Sequence, residues 1–116
     1  MNDDQADKIL MDIAVNSWRF SCRAEHLRQK LSLQDQKRFD NQIRYFKKQI
    51  EDSLLEVGLK IVNLEGLEYE NGMAVVALNK CDFEPDDSLI VEQMIEPVIM
   101  GSEGVVRSGT VTLRKV

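Results

Sequence analysis

The sequence predicts an α+β protein: an N-terminal helical hairpin that joins a second copy in a dimeric four-helix bundle, followed by a small all-β head. Three observations predict it. Apolar residues recur at helical spacing from Leu10 to Leu31 and again from Phe39 to Val57. The pattern changes at Gly58 to short β-type runs divided by turn residues. The last run alternates, with Val111 and Leu113 on one face and Thr110, Thr112 and Arg114 on the other. The expected division is residues 1–58 for dimerisation and 59–116 for the head.

In the first helix the apolar seam reads Leu10, Ile13, Ser17, Phe20, Ala24, Leu27, Leu31. Its steps alternate between three and four, as a heptad seam requires. Trp18 lies off that seam and widens the apolar stripe beyond a two-stranded zipper. After Leu31 the seam slots fall on Gln34, Arg38 and Asn41, and "SLQD" supplies a capping box from Ser32 to Asp35. A new helix therefore starts there. It places Phe39, Ile43, Phe46, Ile50, Leu54 and Val57 on one face and ends at Gly58, which suits a left-handed closing residue. One hairpin alone leaves part of these stripes wet, so two copies are expected to pack together. The expected bundle core is Leu10, Ile13, Phe20, Leu27, Phe39, Ile43, Phe46 and Ile50.

The head begins with "LKIVNL" before Gly66, and "MAVVAL" follows the strong turn signal Asn71-Gly72. "EPDD" (Glu84 to Asp87) places proline at the second position of a turn. "SLIVEQMIEPVIM" carries Pro97, which marks an edge or a bulge. "GSEG" (Gly101 to Gly104) is the best hairpin loop in the chain, and the alternating strand ends it.

Charge narrows the function. Residues 1–58 hold ten acids and ten bases, whereas 59–116 hold ten acids and five bases, so the net charge of −5 sits in the head. Such a head repels phosphate backbones, and nucleic-acid binding is not expected. No apolar run approaches the roughly 20 residues that cross a bilayer, so no membrane span is expected. The start "MNDDQADK" is acidic and unlike a signal peptide. Cys22 and Cys81 stand apart from any metal-ligand spacing. The expectation is a cytoplasmic protein with reduced thiols.

No residue pattern points to catalysis. His26, the single histidine, sits in "RAEHLRQK" and reads as a solvated helix-face residue. Asp82, Glu84, Asp86 and Asp87 lack the alternating spacing that wraps Ca²⁺ and read as a solvated turn. Cys81 in "NKCDF" reads as a buried or half-buried structural thiol in a strand. No phosphate loop, nucleophile elbow or carboxylate pair is visible. Neither enzyme activity, cofactor nor metal is expected. Surfaces remain: Met73, Met94 and Met100 suit either core filling or an adaptable contact. Arg107 either pairs with an acid such as Glu92 or Glu96 or presents its fork to a partner.

The step "SLLEVGLKIV" out of the second helix, and the ending Gly-Val-Val-Arg-Ser-Gly-Thr-Val-Thr-Leu, resemble the GrpE nucleotide exchange factors of Hsp70 (DnaK-type) chaperones. Gly58 matches the family's exit glycine. Val106, Arg107, Ser108, Gly109, Val111 and Leu113 match its closing strand, and "MAVVAL" and "SLIVEQMIEPVIM" fall where the family has its middle strands. The resemblance spans about residues 39–116. It implies a homodimeric co-chaperone whose six-strand head binds the ATPase domain of an Hsp70 and promotes ADP release. It implies a contact surface of Met100, Ser102, Glu103, Gly104 and Arg107. Two departures stand out. The family usually carries a long paired stalk helix before the bundle, whereas this sequence begins almost at the bundle, so a short form is expected. The turn before the closing strand, commonly Asn-Gly-Arg in the family, is Ser102-Glu103-Gly104 here. The alternative is a dimeric adaptor or scaffold whose head binds a partner unrelated to chaperones.

Overall fold

A computed structural model describes residues 3–116. Among the described residues the fold is α+β: two α-helices are followed by six strands in two three-stranded sheets. It divides into two compact units, one ending at Leu59 and the other spanning Lys60–Val116. No helix among the described residues is long and apolar enough to cross a membrane.

In the helical unit, α1 spans Asp3–His26 and α2 spans Leu33–Leu55, with a 3-10 turn at Arg28–Lys30 between them. Asp3 and Asp4 lie in the first turn of α1 and Arg23 and His26 in its last, the charge order that the helix dipole favours. Ser32 caps α2 as expected, its hydroxyl accepting from the Asp35 N–H at 3.2 Å. At the other end Gly58 takes φ 78°. The Gly58 N–H donates to the Leu55 carbonyl and the Leu59 N–H to the Leu54 carbonyl, both at 3.0 Å. That reciprocal pair is a Schellman closure, and the two flanking leucines, Leu54 and Leu59, are both buried.

α1 ends earlier than its apolar seam. Leu27 was expected as a helical seam residue, yet it precedes the 3-10 turn and is exposed. Arg28 explains the early stop. Its guanidinium grips the Asp40 carboxylate of α2 through two hydrogen bonds of 2.8 and 2.7 Å, which favours a tight return. Lys47 adds a second tie between the helices, lying 2.7 Å from Glu25 and 4.7 Å from the centre of the Trp18 ring.

The buried face of α1 is also not the predicted seam. Met11, Ala14, Val15, Trp18 and Cys22 are buried, while Ile13 and Phe20 are 59% and 69% exposed. α1 thus carries two adjacent apolar stripes, and the Trp18 stripe is the one covered within a single chain. Ser21 lies in that stripe and satisfies its hydroxyl on the Ser17 carbonyl at 2.9 Å.

In the head, β1 (Lys60–Val62), β4 (Val98–Gly101) and β5 (Gly104–Arg107) form one antiparallel sheet in the order β1-β4-β5. The second sheet runs β2-β6-β3, with β2 (Val75–Ala77) parallel and β3 (Leu89–Glu96) antiparallel to β6 (Gly109–Lys115). Leu89, Val91, Met94, Val98, Val111 and Leu113 make the core. Besides the longer link from β1 to β2, the chain passes between the sheets at two single residues, Pro97 and Ser108. Proline suits the first crossing because it has no N–H to leave out of a ladder. Gly109 suits the second because a Cβ there would lie 2.8 Å from the Glu96 carbonyl oxygen and 2.8 Å from Met94 Cε. Asn71-Gly72 is a turn, with the Met73 N–H donating to the Glu70 carbonyl at 3.1 Å. The strands on either side of it, β1 and β2, nevertheless belong to different sheets.

Candidate functional site

Two surfaces carry the residues singled out from sequence. The first is an open groove of about 240 Å³ between the helices, lined by Leu10, Ile13, Ala14, Phe46 and Ile50 with Ser17, Gln49 and Ser53. Four of the eight expected bundle-core residues meet here: Leu10 and Ile13 from α1, Phe46 and Ile50 from α2. Phe20 lies in a separate hollow beside Asn16, Arg19 and Arg23. Phe39 and Ile43 are half-buried, and Ile43 borders the polar hollow that contains Arg28, Asp40 and Lys47. None of the eight is fully buried in the single chain.

The second surface is the β4–β5 hairpin, which carries Met100, Ser102, Glu103, Gly104 and Arg107 together. Gly101 pairs with Gly104, leaving Ser102 and Glu103 exposed at the tip. Neither tip residue has positive φ; Gly104, at φ 123°, is where the hairpin takes the unusual backbone. β5 is the edge strand of its sheet, and Val105 and Val106 are about half exposed on it.

The hairpin does not put Met100 and Arg107 on one face. Cross-strand partners share a face, and Arg107 pairs with Ile99 while Met100 pairs with Val105. Met100 packs against the head core, as does Met73, and Met94 is fully buried in it. The Met94 sulfur also accepts the Leu64 N–H at 3.2 Å. The methionines therefore fill the core. Arg107 is half-buried; the Glu96 carboxylate, one acid expected near it, accepts from the Thr110 hydroxyl at 2.8 Å.

Other expectations resolve differently. Cys81 was expected buried in a strand, but it is exposed in a 3-10 turn at Lys80–Asp82. β2 stops at Ala77, and Asn79 then continues the pairing with its side chain. Its amide donates to the Leu113 carbonyl and accepts the Leu113 N–H, both at 2.8 Å. Cys22 is the buried thiol. His26 is exposed on the last turn of α1. The Asp87 carboxyl sits below the usual carboxylate range, held there by the Glu84 N–H at 2.9 Å and by Lys115 at 3.3 Å. Among the described residues no three His, Cys, Asp or Glu side chains converge as a metal site would require.

Comparison with protein-family models, with curated proteins and with solved structures finds no match.

Proposed function

We propose that this protein is a GrpE-like co-chaperone: a homodimer whose β head docks on the ATPase domain of an Hsp70 and promotes ADP release. The observation that carries the reading is the closing segment Val106-Arg107-Ser108-Gly109-Thr110-Val111-Thr112-Leu113. It matches the family in the residues that build the return from one sheet to the other, where Gly109 has no room for a side chain. The uncovered Ile13 and Phe20 and the groove lined by Leu10, Phe46 and Ile50 support the dimer, because a second hairpin would cover them.

In this reading the head binds the open form of the nucleotide cleft better than the closed form and so raises its population. By linkage, ADP weakens the complex by the same factor by which the complex weakens ADP. The contact is placed at the β4–β5 hairpin, through Arg107 and the Ser102-Glu103 tip, with Met100 acting from beneath as support. The protein is expected to act in the cytoplasm, without a cofactor.

One observation favours the adaptor reading. Glu103 is exposed at the tip where the resembling family commonly carries an arginine, so the contact has a different sign. A pull-down from the native host separates the two. An Hsp70 in the eluate, lost on addition of ATP, supports exchange; its absence beside other captured proteins supports the adaptor. In the exchange reading Arg107→Ala weakens Hsp70 binding by roughly 1–3 kcal/mol and leaves the dimer intact.

A further inference from the structure

The head contains a second concave site, away from the β4–β5 hairpin and built where the start of β3 meets the segments that precede β2 and β3. Tyr69 and Phe83 line it together with buried Leu89, and its volume is about 330 Å³. The Tyr69 N–H donates to the Leu89 carbonyl at 2.9 Å, which fixes the tyrosine backbone to the first residue of β3. Three acidic residues, Glu70, Glu84 and Asp87, also line it, beside Asn71, Lys80 and Pro85. Asp87 is committed to Lys115 and to the Glu84 N–H. Glu70 and Glu84 make no ion pair among the described residues.

A cation already occupies part of this cleft. The Lys80 ammonium lies 5.6 Å from the centre of the Tyr69 ring and donates to Asn71 Oδ1 at 3.0 Å. It pairs with none of the three carboxylates, so the negative charge of Glu70 and Glu84 stays uncompensated beside an aromatic face. Lys80 is itself exposed on a flexible stem, and an ammonium is a poor match for a planar carboxylate fork.

We propose that this cleft binds an arginine side chain presented by a partner protein. A guanidinium stacks on an aromatic ring and bonds a carboxylate in its own plane, and this cleft carries both kinds of partner in Tyr69 and in Glu70 or Glu84. Lys80 acts as an internal occupant that the arginine displaces. The excess of acids in residues 59–116 favours approach of a basic segment. This site does not depend on the protein being an exchange factor.

The test is a nitrogen–proton NMR titration of the full-length protein with an acetylated, amidated Gly-Ser peptide carrying two arginines. The same peptide with citrulline in place of arginine is the uncharged control. The arginine peptide should shift the amides of Tyr69, Asn71, Lys80 and Leu89, and the citrulline peptide should not. Lys80→Met removes the occupant and should tighten binding, whereas Glu84→Gln should weaken it, each by about three- to tenfold. Glu103→Gln changes the net charge equally but lies outside the cleft and should have no effect. Shifts scattered over the head, equal weakening by Glu84→Gln and Glu103→Gln, or weaker binding by a folded Lys80→Met protein would each overturn the proposal. If Lys80→Met does not fold, the Glu84 and Glu103 comparison decides it.

Discussion

Gly109 shows how one residue can hold two sheets in place. Its missing side chain lets β6 begin beside the carbonyl of Glu96, where β3 ends. Gly109→Ala puts a methyl 2.8 Å from that backbone oxygen, which cannot move without shifting the Pro97 crossing. The expected cost is about 1–3 kcal/mol in urea unfolding. Gly72→Ala is the control, since a Cβ there meets nothing within 4 Å, and its stability should be unchanged or slightly higher. Asp87 sets a pH dependence. Its folded-state pKa is depressed, first by the Glu84 N–H and then by Lys115. Its contribution is therefore fully present above the ordinary aspartate pKa and is lost as pH falls through the lower folded value. Thermal melts taken from neutral pH downward should show an acid loss that is shallower in Asp87→Asn. Such residue-level roles were only partly legible. "SGT" announced a small residue but not the carbonyl it must clear, and "NKCDF" did not show that Asn79 extends a strand pairing.

Among the elements, those set by local chemistry were the easiest to read. Ser32, Gly58 and the Gly101–Gly104 loop each act within a few residues of themselves, and each stands where its chemistry predicts. Gly58→Ala should cost about 1 kcal/mol of helical-unit stability, entirely from the left-handed backbone, because no atom lies near enough to clash. Circular dichroism during thermal unfolding measures it. Non-local features were less legible. The parallel pairing of β2 with β6 joins segments more than thirty residues apart, from Val75 to Gly109. A run of apolar residues carries no record of such a partner. The buried stripe of α1 is hard to read in the sequence for a related reason. Leu10, Ile13 and Phe20 make a regular seam, but Met11, Val15, Trp18 and Cys22 make another beside it. Periodicity alone cannot say which one a single chain covers.

For the whole molecule, the α+β architecture followed from the change of period at Gly58, whereas assembly and partner rest on surfaces. The uncovered seam of α1 predicts that the protein sediments as a dimer at micromolar concentration. Phe46→Asp should shift it to monomer while preserving helical content, because Phe46 is 40% exposed in the single chain and a charge there is buried only by a second copy. A monomeric wild-type protein would contradict the bundle. The exchange reading has a more direct test, the release of a fluorescent ADP from the cognate Hsp70 at increasing concentrations of this protein. The release rate should rise with concentration and saturate when the Hsp70 is fully bound. An unchanged release rate from an Hsp70 that demonstrably binds the protein would contradict the exchange reading.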